Sequence, residues 1–281
     1  MRFERLFTKL FCQPVLLESS ARIGFEMALL GLMNGDSLPP GISASFDLRK
    51  QSPDSMKKRT DGLLEIQGDT AIIHIDGAID KHLSAFEAWC YDATDLNDVD
   101  RALAQAASNN EIANVLLAIN SPGGSLTGVP ETADRIADLA KDKNVFAFTD
   151  AQCCSAAYWL ASACDQVFAT SSAQVGSIGV YLALMDQSRR LEDMGIKIET
   201  IKDGKLKAAG AQWKTLTDEE KDHFQQTIYD IGTMFRAAVT AKRPQVSIDT
   251  MQGQSFIGQK ALDAGLVDSL VKDKDAAIAQ F

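Results

Sequence analysis

From residue 61 onward the spacing of apolar positions alternates between two periods. Residues 70–75 form a short β-rich apolar run, whereas Val99, Ala102, Leu103, Ala106 and Ala107 recur at helical spacing. Residues 115–119 are a second apolar run. It ends in Ser121-Pro122-Gly123-Gly124 and gives way to a helical stretch with Pro130 near its start and Ile136 and Leu139 inside. Residues 145–149 predict a third strand, the Ala-rich stretch 155–163 a short helix, and 167–169 another strand. This strand-helix-strand rhythm predicts an α/β class fold, a mostly parallel sheet with helices on its faces. Residues 196–201 alternate and read as one more strand. The clearest long helix starts at Thr217, where Glu220 stands at capping-box spacing. Phe224, Ile228, Ile231, Phe235 and Val239 mark one face, and the helix should run to about Ala241. A final short helix at 259–264 stops at Gly265, a suitable residue for leaving a helix, and Leu266-Val267 continues into the last apolar segment.

Residues 1–60 break this rhythm. Apolar segments there are followed by a Gly/Pro/Ser-rich run at 35–44 and a polar, basic stretch, KQSPDSMKKRT, at 50–60. That pattern predicts an N-terminal extension and linker at 1–60, ahead of one α/β domain at 61–281. A tail and a docking or regulatory segment both fit it.

Composition narrows the function classes. The chain has 281 residues, 46% of them hydrophobic and 23% charged, without low-complexity tracts, and can bury a substantial core. A formal net charge of -10 and a pI near 4.8 oppose attraction to phosphate backbones or anionic lipid, so no nucleic-acid partner is expected. Five cysteines, two of them adjacent at Cys153 and Cys154, form neither a disulfide framework nor a zinc spacing. No metal or cofactor is expected, and a reducing compartment fits best. Arg2, Glu4, Arg5 and Lys9 interrupt any signal-peptide core, and the apolar stretch 23–33 contains Glu26 and is far short of the roughly 20 residues a bilayer span needs. No membrane span is predicted.

Three elements are candidates for chemistry. The first is Asn120-Ser121-Pro122-Gly123-Gly124, at a strand-to-helix crossing, where α/β sheets place ligands. Two glycines let backbone N–H groups approach a substrate oxygen, as an oxyanion hole requires, although a tight turn needs the same residues. The second is Cys153-Cys154-Ser155-Ala156-Ala157-Tyr158-Trp159, with Ser155 where a loop becomes a helix. A nucleophile there benefits from unpaired N–H groups, but serine is also a favoured helix cap. The neighbouring thiols would need a base. His74, His82 and His223, the only histidines, have no loop context that marks one, so a Ser-His-Asp triad has little support. The third is Gly204-Lys205-Leu206-Lys207-Ala208-Ala209-Gly210. A lysine acts as a base only when neutral, which means lowering its pKa by several units from about 10.4. Loop lysines are otherwise ordinarily solvated.

Taken together, the blocks NSPGG at 120–124, CSAAYWLASACDQVFA at 154–169, VGSIGV at 175–180, ETIKDGKLKAAG at 199–210 and GQKALDAGLVD at 258–268 resemble, in order, the signal peptide peptidase A family of serine-lysine peptidases within the Clp-protease/crotonase superfamily. The resemblance implies a Clp-protease/crotonase-like fold of repeated ββα/βαβ units. It implies Ser155 as nucleophile, Lys207 as general base, Ser177 as the residue that orients the lysine, and Gly123 and Gly124 as the oxyanion-binding turn. Where the family commonly has glycines after the nucleophile, this chain has Ala156 and Ala157, a close substitute. The CCSAA form of the nucleophile block and the early FCQPVLLE and ARIGFEMALLG segments look like the phage protein-C-like head maturation branch. That branch implies polypeptide substrates, scaffold or capsid proteins, and a homo-oligomer working in the host cytoplasm or procapsid interior. A bacterial signal-peptide-peptidase-like protease, a catalytically silent scaffold-binding protein and an acyl-CoA enzyme of the crotonase branch are the alternatives the same residues leave open.

Overall fold

A computed structural model describes residues 14–17, 62–83 and 93–281. Apart from 14–17, the predicted extension and linker at 1–60 lie outside the described residues. Two compact units divide the chain: Leu16–Gly179 with Phe235–Phe281, and Met1–Val15 with Val180–Met234.

The larger unit is built on a six-stranded sheet formed by β2 (Leu64–Gln67), β3 (Thr70–Asp76), β6 (Asn114–Asn120), β8 (Asn144–Thr149), β10 (Gln166–Ala169) and β13 (Ser269–Leu270). Its spatial order is β13-β10-β8-β6-β3-β2. Every pairing is parallel except β2 with β3, which is antiparallel. This is the mostly parallel α/β architecture that the period changes predict. In register, Ile72 faces Leu116 and Leu116 faces Phe146, so these side chains line one face, where Phe148, Phe168 and Ala277 join them in a core cluster.

The helices of the crossovers are α1 (Leu96–Ser108), α2 (Val129–Leu139) and α3 (Ala156–Ser162). α1 packs on β3, and α2 packs on both α1 and α3. Asp95 caps α1 by accepting from the Asn97 N–H, and α1 buries Val99, Ala102, Leu103 and Ala106 while Ala107 of the predicted face stays exposed. Pro130 sits in the first turn of α2, as expected of a residue with no N–H to leave unpaired.

Two small sheets are laid against this framework. One has the order β1-β7-β4-β5, from β1 (Val15–Leu17), β7 (Gly123–Ser125), β4 (Ile79–Asp80) and β5 (Thr94–Asp95). The other has the order β12-β11-β9, from β12 (Ser255–Ile257), β11 (Gln174–Gly176) and β9 (Gln152–Cys154). Gly123 and Gly124, expected inside a turn, therefore belong to a short strand.

In the smaller unit α4 (Ser188–Asp193) is followed by the stretch 196–201, which is not a strand. The alternating pattern has the composition of a strand, but a strand also needs a ladder partner, and among the described residues of this unit the stretch has none. Ile201 is fully exposed at 100%. α5 (Asp218–Lys242) begins with the predicted capping box: the Thr217 N–H donates to Glu220 Oε2 at 3.1 Å, and the Glu220 N–H donates to Thr217 Oγ1 at 3.3 Å. Among the described residues no helix is long and apolar enough to cross a membrane.

The C-terminal part of the larger unit clamps α3 from behind. Trp159 stacks on Phe235 with ring centroids 4.6 Å apart, and the Tyr158 hydroxyl donates to the Leu266 carbonyl at 2.8 Å. Both aromatics are buried in the core. Arg243, buried, donates to Asp268 Oδ2 at 2.5 Å and Oδ1 at 3.3 Å, and Asp268 also accepts the Val167 N–H. Asp268→Ala would strand a buried guanidinium. We expect it to lower stability by about 3 kcal/mol in urea unfolding, far beyond what a surface pair is worth.

Candidate active site

Ser155 is held at the junction of β9 and α3 in a backbone conformation that L-residues avoid, φ 55° and ψ −118°. The same conformation recurs at the junction of β12 and the short helix α6 (Gln259–Asp263), but there the residue is Gly258, with φ 49° and ψ −116°. A glycine adopts this bend without a Cβ penalty, whereas a serine in it carries strain of about 1–3 kcal/mol. Nor does the Ser155 side chain cap α3, so its role is not that of an ordinary N-cap. Ser155 is 1% exposed. Its N–H donates to the Gly176 carbonyl at 2.7 Å, and its Oγ faces the Gly179 carbonyl at 3.5 Å, a long contact that leaves the hydroxyl loosely held.

Gly123 lies directly against it. A Cβ built on Gly123 would stand 2.9 Å from the Ser155 Cβ, 2.9 Å from the Cys154 carbonyl oxygen and 2.2 Å from the Leu16 carbonyl oxygen, and Gly123 has φ 100°. Only glycine fits. The neighbouring Gly124 is as constrained, since a Cβ there would be 1.8 Å from the Ile79 carbonyl oxygen. The turn is locked to the nucleophile strand by two backbone bonds, Ser121 N–H to Gln152 O at 2.8 Å and Cys154 N–H to Ser121 O at 3.0 Å. Gly123 donates its own N–H to Ser121 Oγ at 3.2 Å.

Ser177 also stands in a left-handed conformation, φ 53°, and is buried. Its N–H donates to Gln254 O at 2.8 Å, and it follows directly on Gly176, the acceptor of the Ser155 N–H. Ser155, Ser177, Gly123 and Gly124 thus belong to one unit, and backbone contacts link Ser155 to the Gly123 turn and to the strand preceding Ser177. Lys207 belongs to the smaller unit, in the turn-rich stretch 204–210, where it is exposed and its N–H donates to Gly204 O at 3.2 Å. Its neighbour Lys205 lies 3.5 Å from Glu219. Lys207 makes no ion pair with a described residue.

The competing nucleophiles and bases fare worse. Cys153 and Cys154 are buried, and burial pushes the Cys153 thiol well up, away from the thiolate that a cysteine nucleophile requires. His74 is hydrogen-bonded to Glu65 and His82 to Asn97, and His223 lies beside Phe224. Two participants had no signal as site residues in the sequence. Ser121 is hidden within the glycine block as the acceptor of the Gly123 N–H, and Leu16 reaches the site from a stretch more than a hundred residues earlier in the chain.

The model of peptidase family S49 matches residues 137–280. Capsid assembly protease C of Escherichia phage lambda is 30% identical over 276 residues, which cover 95% of this chain and 62% of that protein. Head-tail preconnector protein GP5 of Enterobacteria phage P21 is 31% identical over 275 residues, 95% of this chain and 54% of that one. The chain therefore spans little more than half the length of these phage relatives. A chloroplastic serine protease, SPPA of Arabidopsis thaliana, is 26% identical over 245 residues, 86% of this chain and 35% of that protein.

Proposed function

This chain belongs to peptidase family S49, and from that premise we propose that it is a serine endopeptidase of phage head assembly whose nucleophile is Ser155 and whose general base is Lys207. The observation that carries the reading is the strained Ser155 packed against a glycine that tolerates no side chain. A fold that only needed the bend would be better served by glycine, which adopts it without a Cβ penalty.

In this mechanism neutral Lys207 Nζ takes the proton of Ser155 Oγ as that oxygen attacks the scissile carbonyl. The tetrahedral oxyanion is met by backbone N–H groups of the Gly123-Gly124 turn, for which the Gly123 N–H must exchange Ser121 Oγ for the substrate oxygen. Collapse expels the amine with the proton carried by Lys207, and water then releases the acyl group by the same path in reverse. Ser177 steers the lysine. The peptidase domain is 61–281, with 1–60 as its extension. Substrates are scaffold or other head proteins, which fits the names of the phage relatives. The working form is a homo-oligomer in the procapsid or host cytoplasm, to be checked by light scattering.

The test is intact mass over time for wild type, Ser155→Ala and Lys207→Arg, each mixed with a scaffold protein from the same gene neighbourhood. Fragments should form only with wild type, because arginine cannot give up its proton, and the two variants should lose at least about 10⁴-fold in rate. Full activity in Lys207→Arg would remove lysine from the base role.

A further inference from the structure

Among the described residues of the N-terminal stretch, strand β1 reaches the site. It pairs with β7, the strand that begins at Gly123, at the edge of its small sheet. The Leu16 carbonyl oxygen and the Ser155 Cβ approach one and the same point, at 2.2 Å and 2.9 Å from a Cβ built on Gly123. The Leu16 carbonyl therefore stands beside the nucleophile and the oxyanion glycine, and its side chain is 0% exposed. Val15 exchanges both backbone hydrogen bonds with Tyr181, N–H to O at 2.9 Å one way and 3.2 Å the other. β1 is thus held by main-chain hydrogen bonding, with Leu16 buried and its carbonyl oxygen against Gly123, the glycine that packs on Ser155. A peptidase that takes an extended substrate by strand addition presents the same contacts to its substrate: ladder bonds for affinity, a side-chain pocket for selectivity, and a carbonyl in front of the nucleophile.

We infer that β1 fills the substrate cleft in cis, with Leu16 in the position of the residue whose carbonyl is attacked, so that the N-terminal strand is an autoinhibitory occupant a substrate must displace. The inference rests on Ser155 being the nucleophile. It also predicts that the pocket which buries Leu16 accepts a branched aliphatic side chain from substrates.

Two measurements on the full chain test it. A fluorophosphonate probe, in which Ser155 Oγ displaces fluoride from phosphorus, reports access to the serine. Leu16→Asp, which puts a charge where no water reaches, should expel β1 and raise the labelling rate by about 10-fold or more. An equal or slower rate in a variant that melts like wild type would overturn the proposal and make β1 an ordinary structural strand. Because Leu16→Asp could fail to fold, hydrogen exchange on wild type supplies the second measurement. The Val15 amide should exchange at least about 10-fold faster once Ser155 carries the probe, and unchanged protection in the adduct would overturn the proposal. If neither wild type nor variant is labelled while both are folded, the reading of Ser155 itself fails and the inference falls with it, an outcome distinct from labelling without release of β1.

Discussion

Gly123→Ala should abolish peptidase activity while leaving the six-stranded sheet in place. A methyl group on this residue would have to share space with two backbone carbonyl oxygens and the Ser155 Cβ, all under 3.0 Å away. Backbone cannot rotate aside as the tip of a long side chain can, and even with β1 displaced the 2.9 Å approaches to the Cys154 carbonyl oxygen and the Ser155 Cβ remain, so the turn at 121–124 or the β9–α3 junction must move. Added to this is the cost of an L-residue at φ 100°. Together the overpacking and the strain should cost about 2–5 kcal/mol of stability. The effect on catalysis should be larger. A displacement of about 1 Å between nucleophile and oxyanion donors costs roughly 100-fold in rate, and here both partners are pushed apart by the same methyl group. Fluorophosphonate labelling of Ser155 should therefore fall by at least about 100-fold. Gly253→Ala provides the control, because Gly253 also has a positive φ, 89°, yet a Cβ there meets nothing within 4 Å. It should lose stability through strain alone, about 1 kcal/mol, and keep its labelling rate. If Gly123→Ala were labelled like wild type, the glycine turn would have no part in the reaction.

The contrast between what the sequence foretold and what it did not follows from where each pattern takes its meaning. The central strands β3, β6, β8 and β10 are legible because each is a run of buried apolar residues paired within a parallel sheet, and such runs carry their own signal. The strands β4, β5, β7, β9, β11 and β12 have two or three residues each, too few for any period to show, yet β7, β9 and β11 are the strands that border Ser155. Residues 196–201 err the other way: the local pattern of a strand is present, but no described partner completes a ladder, and pairing is not a local property. At the site, Ser155, Gly123 and Gly124 stood out through residue type at a strand-to-helix crossing. The resemblance, not their chemistry, singled out Lys207 and Ser177. The strain at Ser155 was invisible, since a serine before an Ala-rich helix reads first as a cap. The Leu16 contact was equally invisible, because nothing near residue 16 indicates which distant turn it will meet.

Ser155→Gly should yield a protein that is catalytically dead and more stable than wild type. Removing the hydroxyl removes the nucleophile, so the loss in cleavage rate should reach about 10⁴-fold or more, as for any change that deletes the attacking atom. Stability should move in the opposite direction. Glycine relieves the strain of φ 55° and ψ −118°, about 1–3 kcal/mol, as Gly258 does in the equivalent bend. Against this stands the larger entropy that glycine gives the unfolded chain, about 0.5–1 kcal/mol. Among the described residues, the side-chain hydrogen bond forfeited is the 3.5 Å contact to Gly179, too long to weigh much. The balance is a gain of about 1 kcal/mol, or a melting temperature higher by roughly 2–4 °C. Ser155→Ala separates the two effects, because alanine also lacks the hydroxyl but keeps the Cβ and with it the strain. It should be equally inactive and no more stable than wild type. Thermal and urea melts of the three proteins therefore measure the backbone cost of the nucleophile directly. A Ser155→Gly protein no more stable than Ser155→Ala would mean that the bend is unstrained, and would take away the observation on which the assignment of Ser155 rests.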